Sequence, residues 1–496
     1  MKLAAHSLLV LVLAACGGST TRPTEVVADR PALVILQLND VYEANPVGGE
    51  GGLARVATLR NQLVAQGAPV ITVLAGDFVS PSAIGLAQVE GDKLAGKQMV
   101  AAFNALGVDL VTFGNHEFDI KEAQLLARLQ ESKFTWISSN VVRSSGAPFP
   151  GVLHHVVRTV ATARGPLKVG FFGITLNSNP KDWVRYDAHY IDVAKAAVAA
   201  LEAEGAQIIV ALSHLDLDDD EALAEDVPRI DVVLGGHEHE NVRVYRGRDF
   251  TPVLKADANA RSVYVHRFRP QTGGGFALDS ELVRINDQIA DEPTVAAEAQ
   301  RFTTLAFDAF RKDGLAPERV VTTAWVDLDG REASVRNRAT DLTTLMAEAM
   351  LQAAEGAQVA LYNSGSIRID DVIPLGAPIT EYDVLRILPF GGAVVRVHMT
   401  GALLAKVLAA GEQNRGKGGF LQTAGVTHTA AGWQVAGAAL DPAATYVVAL
   451  NDFLLTGKED HLDFLTPTAE GLSDRHDGLD LRRAFINRLA LGPAGS

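Results

Sequence analysis

Five short apolar runs in the first half of the chain each end in residues that bind metal ions or transfer protons. Helix-like stretches over 53–66, 123–130 and 193–204 lie between these runs, and the alternation predicts α/β layering. The runs and their polar ends are 33–38 with Asn39-Asp40, 70–74 with Gly76-Asp77, 110–113 with Gly114-Asn115-His116, 208–212 with Ser213-His214, and 232–234 with Gly235-Gly236-His237. Because ligand residues gather at the carboxyl ends of strands in such folds, we expect these side chains to share one site.

Length and charge limit the class of protein. A chain of 496 residues is too long for one ordinary core, so two or three domains are expected. The formal net charge of −15 argues against a nucleic-acid polymer as partner, because such a partner requires a basic face. The apolar content of 48% and the charged content of 21% are typical of a globular protein.

The N-terminus has the pattern of a secretion signal. Residues 1–16, MKLAAHSLLVLVLAAC, combine an early lysine, a short apolar core and small residues before Cys16, the only cysteine of the chain. The ending Leu-Ala-Ala-Cys resembles a bacterial lipoprotein box, in which the cysteine is lipidated, and Gly17 after it resembles the outer-membrane sorting pattern. We therefore expect a lipid-anchored protein of the bacterial periplasm or cell surface, attached to the membrane only through this anchor. An ordinary secretory signal cut nearby is the alternative.

Composition and pattern divide the rest of the chain into four segments. The polar residues 17–31 predict a flexible tether. Alternating strand and helix patterns predict one α/β domain over 32–290 and a second over 315–496. The segment 291–314 shows no strand pattern, and we expect a linker helix there.

The polar strand ends and the following loops form one constellation of possible ligands. Carboxylate, amide and imidazole groups together suit a pair of divalent ions, such as Mn, Zn, Mg, Ca or Fe, with one carboxylate bridging ions about 3.5–4 Å apart. Such a site clamps a phosphate and lowers the pKa of a bound water, which then attacks phosphorus. The candidates are Asp40, Asp77, Asn115, His116, His214, His237 and His239.

Two motifs in this constellation, GNHEFD at 114–119 and GGHEH at 235–239, carry a family resemblance. From about residue 32 to 490 the chain resembles the calcineurin-like metallophosphoesterases, and within them the two-domain 5′-nucleotidase/UDP-sugar hydrolase group. The resemblance implies an α/β protein with an N-terminal four-layer αββα metallophosphoesterase domain. It also implies a C-terminal α/β substrate-binding domain of the 5′-nucleotidase type.

The resemblance also implies a role for each candidate in the first domain. His116 resembles the family's catalytic histidine, which stabilises the phosphoryl charge or protonates the leaving oxygen. Asp119 resembles the partner that orients this imidazole, and the alternative for Asp119 is a helix N-cap. In the implied ligand set, Asp40 and His239 bind the first metal, Asp77 bridges both, and Asn115, His214 and His237 bind the second.

Tyr42 departs from the family's first motif, Asp-x-His, which here is Asp40-Val41-Tyr42. Three interpretations stay open. The tyrosine is a phenolate ligand, or it lines the site and leaves the first metal with one more water, or the site is degenerate and the protein only binds. The acidic run over 215–226 is interpreted as a solvated loop and a helix start rather than as a cation attractor.

The second domain carries the residues that the resemblance assigns to the organic part of the substrate. The stretch YNSGSIR at 362–368 resembles the family's Asn-Gly-Gly-x-x-Arg loop, whose amides and arginine bind phosphate or ribose oxygens. Two phenylalanines resemble the aromatic pair that sandwiches a nucleobase, and the alternative is that both are core residues. The family's Gly-Gly-Asp-Gly run is missing, so the last candidate matches loosely. These candidates are Arg338, Asn363, Arg368, Phe390, Phe453 and Asp460.

The sequence therefore predicts a metal-dependent phosphoester hydrolase with a small-molecule substrate. A 5′-nucleotidase that releases phosphate from nucleoside 5′-monophosphates is the first hypothesis. A phosphatase of another organic phosphate, such as a sugar phosphate or a cyclic nucleotide, or a hydrolase of a related ester, is the second. A non-catalytic binding lipoprotein is the third.

Overall fold

Two six-stranded sheets occupy the centre of the N-terminal half in the computed structural model, which describes residues 31–493. The predicted signal peptide, Cys16 and most of the predicted tether lie outside the described residues. In spatial order the first sheet contains Phe276–Arg284, Ser262–Pro270, Leu33–Leu38, Val70–Leu74, Leu110–Thr112 and Thr135–Ile137. The second contains Val242–Arg246, Thr251–Lys255, Val232–Gly235, Ile208–His214, Gly165–Thr175 and His155–Thr162.

Three apolar layers hold the helices and the two sheets together. One lies between the sheets and joins residues such as Ile35 and Val73 to Phe171 and Val210. The other two pack helices on the outer faces, Leu53–Ala65, Lys97–Leu106 and Glu122–Glu131 on the first sheet, and Tyr190–Ala203 and Leu217–Asp226 on the second. This order of layers confirms the predicted αββα architecture.

The central strands of both sheets run parallel, which explains how well they were predicted. All six residues of Leu33–Leu38 are buried, so the strand is a continuous apolar run without alternation. The antiparallel strands at the sheet edges, among them Phe276–Arg284 and Val242–Arg246, carry partly exposed residues and were not predicted.

The C-terminal half is built on a five-stranded sheet with helices on both faces. Its spatial order is Leu421–Ala424, Val359–Asn363, Thr445–Asn451, Ala393–Thr400 and Leu472–Asp480. Asp341–Ala353, Glu381–Ile387 and Leu481–Ala490 pack on one face, and Gly401–Gln413 packs on the other. A small sheet of Val426–Thr429, Gly432–Val435 and Ala438–Ala439 stands beside it.

The helix Pro293–Lys312 connects the two halves within the segment where a linker helix is predicted. Its proline occupies the first turn, and the Glu292 side chain caps it by accepting a hydrogen bond from the Val295 N–H. Phe302 and Phe310 of this helix pack in one cluster with Ile84 of the first half and Leu385 of the second.

The remaining elements are short. They are the helix Glu332–Val335, the 3-10 turns Ile84–Leu86, His116–Asp119, Ser364–Ser366 and Asp452–Thr456, and the strand pairs Gln88–Val89 with Asp92–Lys93, Val141–Arg143 with Val184–Tyr186, Val320–Thr323 with Pro378–Thr380, and Leu328–Asp329 with Val372–Ile373. Among residues 31–493, no helix combines the length and the apolar character needed to cross a bilayer.

Candidate active site

Two carboxylates and one imidazole meet where the carboxyl ends of the two sheets come together. Asp40 follows Leu33–Leu38, Asp77 follows Val70–Leu74, and His214 ends the strand Ile208–His214. His214 Nε2 lies 3.2 Å from Asp77 Oδ2 and 3.8 Å from Asp40 Oδ1, and all three side chains are buried. These three residues could hold a metal ion.

Unpartnered polar atoms in this cluster, and one on the predicted ligand Asn115, support that fit. Within the described part of the chain, Asp40 Oδ1, Asn115 Oδ1 and His214 Nε2 are buried and have no hydrogen-bond partner. Leaving a buried polar atom unpaired costs about 1–3 kcal/mol, and an ion coordinated there would remove this cost. The other ring nitrogen of His214 lies 2.7 Å from the Ala75 carbonyl oxygen, which directs the unpartnered nitrogen toward the carboxylates.

The glycines of the two motifs are required by close approach. A Cβ on Gly114 would collide with the Asp77 carboxylate, and one on Gly236 would lie 2.9 Å from an Asp40 oxygen. The backbone around them is tightly bent as well. His237 and His239 have φ angles of 89° and 60°, a region that non-glycine residues rarely adopt.

Each of the two histidines of the GGHEH motif has one ring nitrogen in contact with a carboxylate. His237 Nε2 lies 3.1 Å from Asp216 Oδ1, and His239 Nδ1 lies 2.5 Å from Asp370 Oδ2. Neither carboxylate was predicted as part of the site, because Asp216 sits in the acidic run and Asp370 belongs to the other domain. Such contacts fix the orientation of a ligating imidazole and its tautomer.

A buried ion pair of Lys255 and Asp220 also holds the GGHEH loop in place. Lys255 Nζ lies 2.8 Å from Asp220 Oδ2, donates to the Leu215 carbonyl oxygen at 2.7 Å, and contacts Glu238 between the two histidines. The interpretation of the whole acidic run as a solvated segment is therefore wrong at Asp220, which is buried.

Tyr42 lies among the candidate ligands. Its hydroxyl donates to Asp77 Oδ2 at 3.2 Å and lies 3.1 Å from His239 Nε2. Burial, followed by the negative charges of Asp77 and Asp40, raises the pKa of Tyr42 well above its usual value. The Tyr42 hydroxyl is therefore within hydrogen-bond distance of two candidate metal ligands.

His116 and Asp119 form a pair at the edge of the cluster. The ring nitrogen Nδ1 of His116 lies 2.6 Å from Asp119 Oδ2. The backbone N–H of His116 donates to Asp77 Oδ1 at 2.8 Å. Burial would raise the pKa of Asp119, but the hydrogen bond and the charge of His116 lower it to about 2. The next helix, Glu122–Glu131, has Lys121 as its N-cap, so the N-cap alternative for Asp119 is wrong.

Glu117 holds the two ligand loops together. Its carboxylate accepts hydrogen bonds from the backbone N–H groups of Asp77, Phe78, Val79 and Gly114 at 2.5–3.1 Å. Burial, followed by repulsion from Asp77, raises the pKa of Glu117 to about 7. Its role is to support the backbone of these loops.

In the second domain, both candidate aromatics are at the surface. Phe390 is 50% exposed and Phe453 39% exposed, so the interpretation of both as core residues is wrong. The Arg368 guanidinium lies 5.5 Å from the Phe390 ring centroid, and one of its nitrogens lies 3.4 Å from Glu332.

The other second-domain candidates have partners of their own. Asn363 donates to Glu459 at 2.9 Å, while the exposed Asp460 faces Lys417 at 3.5 Å. Arg338 donates to Asp329 at 3.1 Å, beside the start of the helix Asp341–Ala353.

An open cavity of about 410 Å³ lies between the two domains. Asp119 and Lys121 of the first domain line it, together with Phe390 of the second. Its size is within the usual range for small-molecule sites.

Comparison with known proteins identifies the family. The family model described as calcineurin-like phosphoesterase matches residues 33–241, and the model described as 5′-nucleotidase, C-terminal domain, matches residues 320–466. The chain belongs to the two-domain 5′-nucleotidase family of calcineurin-like metallophosphoesterases. It is accordingly a hydrolase that acts on phosphoesters, and the non-catalytic alternative is not retained.

Two related proteins show how far along the chain the similarity extends. The bovine (Bos taurus) 5′-nucleotidase is 25% identical over 481 residues, 85% of this chain and 78% of that protein. The trifunctional nucleotide phosphoesterase YfkN of Bacillus subtilis is 26% identical over 372 residues, 66% of this chain. This alignment spans only 25% of the much longer YfkN.

A solved structure supports the same fold. The 5′-nucleotidase precursor of Thermus thermophilus superposes with a TM-score of 0.73 at 26% identity. The superposition covers 92% of this chain and 96% of that one, so both domains are included.

Proposed function

We propose that the chain is a 5′-nucleotidase that releases phosphate from nucleoside 5′-monophosphates with two divalent ions. The proposed ligands are the residues that the sequence predicted, supported by their convergence and by the unpartnered buried atoms among them. They are Asp40, Asp77, Asn115, His214, His237 and His239, with Tyr42 as a neutral donor beside them.

The ions, when bound, would polarise the phosphoryl oxygens and lower the pKa of a water molecule. The protein's own contribution centres on His116. Because Asp119 holds its Nδ1, the Nε2 of His116 is left to face the substrate. From there it can donate to a phosphoryl oxygen as charge develops, or pass its proton to the leaving oxygen.

The inter-domain cavity is the observation that carries the choice of a nucleotide. Asp119, the partner of His116, and Phe390 line the same cavity, so a flat base stacked on Phe390 would lie on the side of the catalytic pair where Asp119 is exposed. Stacking on an exposed phenylalanine suits a nucleobase.

A second candidate, a phosphatase of another organic phosphate, is favoured by the loop after Phe453. Its Asp460 is exposed and faces Lys417, while Glu459 is the acid that contacts Asn363. This loop therefore presents a different set of groups to the substrate from the family's Gly-Gly-Asp-Gly run.

We also propose that lipidation of Cys16 anchors the protein at the bacterial cell surface or in the periplasm, at the outer membrane. The support is the sequence of residues 1–16.

The first experiment is phosphate release by protein lacking residues 1–16, with Mn, Zn, Mg, Ca or Fe added in turn. The panel holds 5′-mononucleotides, cyclic nucleotides, sugar phosphates and an aryl phosphate. Selective turnover of 5′-mononucleotides is expected. Turnover of the other phosphates alone would refute the nucleotidase assignment and favour the second candidate.

The role of His116 is tested in the same assay. We expect His116→Ala to lower kcat by about 10²–10⁴-fold with unchanged metal content, as for loss of a general acid. His189→Ala is the control, because the His189 side chain is exposed and pairs with Asp187, away from the candidate ligands. A His116→Ala variant with full activity would exclude the catalytic role.

A further inference from the structure

Asp370 reaches from the second domain into the candidate metal site of the first. Its Oδ2 lies 2.5 Å from His239 Nδ1, across 131 residues of sequence. The two side chains are 15% and 13% exposed, so the contact is largely shielded from water.

This contact decides where the other nitrogen of His239 points. With Nδ1 occupied by the carboxylate, Nε2 faces the Tyr42 hydroxyl at 3.1 Å and Asp40 Oδ1 at 3.5 Å. An imidazole that binds an ion through one nitrogen normally has the other held by an acceptor, which sets its tautomer and ring angle.

The carboxylate of Asp370 is itself held rigidly. Its Oδ1 accepts a hydrogen bond from the Glu332 N–H at 2.7 Å, and its carbonyl oxygen accepts one from Arg261 at 3.4 Å. The residue has a φ of 42°, an uncommon backbone conformation that aspartate tolerates better than most residues.

The other histidines near the site have acceptors from their own domain. Asp216 contacts His237, and Asp119 contacts His116. His239 differs because its acceptor arrives with the second domain.

We propose that Asp370 is a positioning residue through which the second domain sets the affinity of the first domain's site for a divalent ion. The proposal rests on the metal centre of the proposed function. Any rearrangement that withdraws Asp370 must then weaken the site, and by linkage an ion bound to His239 must stabilise the domain arrangement seen here.

The test is calorimetric titration of the full chain, stripped with a chelator, with Mn²⁺. We expect Asp370→Asn to weaken one of two binding events by about 10–100-fold, the usual effect of losing a partner of a ligating histidine. Asp370→Ala, which removes the acceptor entirely, should weaken the same event at least as much. At saturating Mn²⁺, the KM for an aryl phosphate should stay unchanged.

Asp371→Asn is the matched control. Asp371 is the next residue, lies at the same domain boundary, and faces Arg261 at 3.2 Å. Its variant should keep Mn²⁺ affinity within about twofold. Equal weakening by Asp370→Asn and Asp371→Asn, unchanged affinity in Asp370→Ala, or no Mn²⁺ binding by the unmodified chain would each overturn the proposal.

Mn²⁺ binding is measured without phosphoester hydrolysis, so the proposed function and the positioning role of Asp370 can be refuted independently. Unmodified protein that binds Mn²⁺ in an Asp370-dependent way but cleaves no phosphoester would refute the proposed function alone. Normal hydrolysis with Asp370-independent binding would refute the positioning role alone.

Discussion

Replacing Glu117 by glutamine should destabilise the fold far more than the loss of one charge suggests. Oε1 accepts the N–H groups of Phe78 and Val79, and Oε2 accepts those of Asp77 and Gly114. In Glu117→Gln an amide nitrogen replaces one oxygen, so two buried N–H groups lose their acceptor and face a donor. At about 1–3 kcal/mol for each unsatisfied group, the free energy of unfolding should fall by about 2–6 kcal/mol.

The assay is urea unfolding with chelator present, at pH 8.5, where Glu117 with its pKa of about 7 is ionised. Glu122→Gln is the control, because Glu122 pairs with Arg143 at the surface, at 2.8 Å. Such a pair contributes about 0–1 kcal/mol. A loss below about 1 kcal/mol in Glu117→Gln would refute the idea that this carboxylate supports both loops.

Two further predictions concern Tyr42 and His266. Tyr42→Phe should still bind two ions and keep kcat within about tenfold of the unmodified value, because a neutral donor rather than a ligand is removed. Loss of one ion in metal analysis would instead identify tyrosine as a ligand. Burial, with a smaller contribution from Arg243, lowers the pKa of His266 to about 3. The unfolded chain, with a pKa near 6.5, then binds a proton that the folded chain does not, so stability falls as the pH drops below about 6.5. This one group should remove about 1.6 kcal/mol between pH 6.5 and 5. His266→Asn should show a correspondingly flatter dependence in urea unfolding, and an equal slope in both proteins would contradict the assignment.

The parts of the fold predicted from sequence are those with a local pattern. The strand Leu33–Leu38 was predicted with its observed bounds because a strand buried on both faces is a continuous apolar run. The helix Lys97–Leu106 and the edge strand Phe276–Arg284 were missed. The edge strand mixes buried, intermediate and exposed positions without a clean alternation.

The residues of the candidate site also differ in whether a local sequence pattern indicates them. Asp40 lies two residues after an apolar strand and His214 ends another, so their position in the chain indicates them. Asp370 carries no such signal, because its partner lies 131 residues away along the chain. Lys255 ends the strand Thr251–Lys255, but a lysine at a strand end does not indicate a metal ligand, and its partner Glu238 lies 17 residues away. Only the three-dimensional structure, in which the two domains pack together and strands pair within a sheet, shows which residues these two side chains support.

Backbone strain at the site follows from the same long-range contacts. Asp40 and Asp77 have φ angles of 51° and 56°, which cost about 1–2 kcal/mol per residue for non-glycine side chains. The conformation persists because hydrogen bonds from distant segments fix it. Asp40 donates its N–H to the Gly76 carbonyl at 3.0 Å and accepts the His237 N–H at 2.9 Å, while the Asp77 N–H is held by Glu117.

The same hydrogen bonds that maintain the strained backbone of Asp40 and Asp77 also pre-organise their carboxylates. Both residues with left-handed backbone carry carboxylates that lie within 3.8 Å of His214 Nε2. The free energy stored in the turns is offset by the hydrogen bonds that bring the loops together. Weakening that network, as in Glu117→Gln, should therefore lower metal affinity together with stability, whereas loss of Asp370 should lower metal affinity and leave the network of the first domain intact.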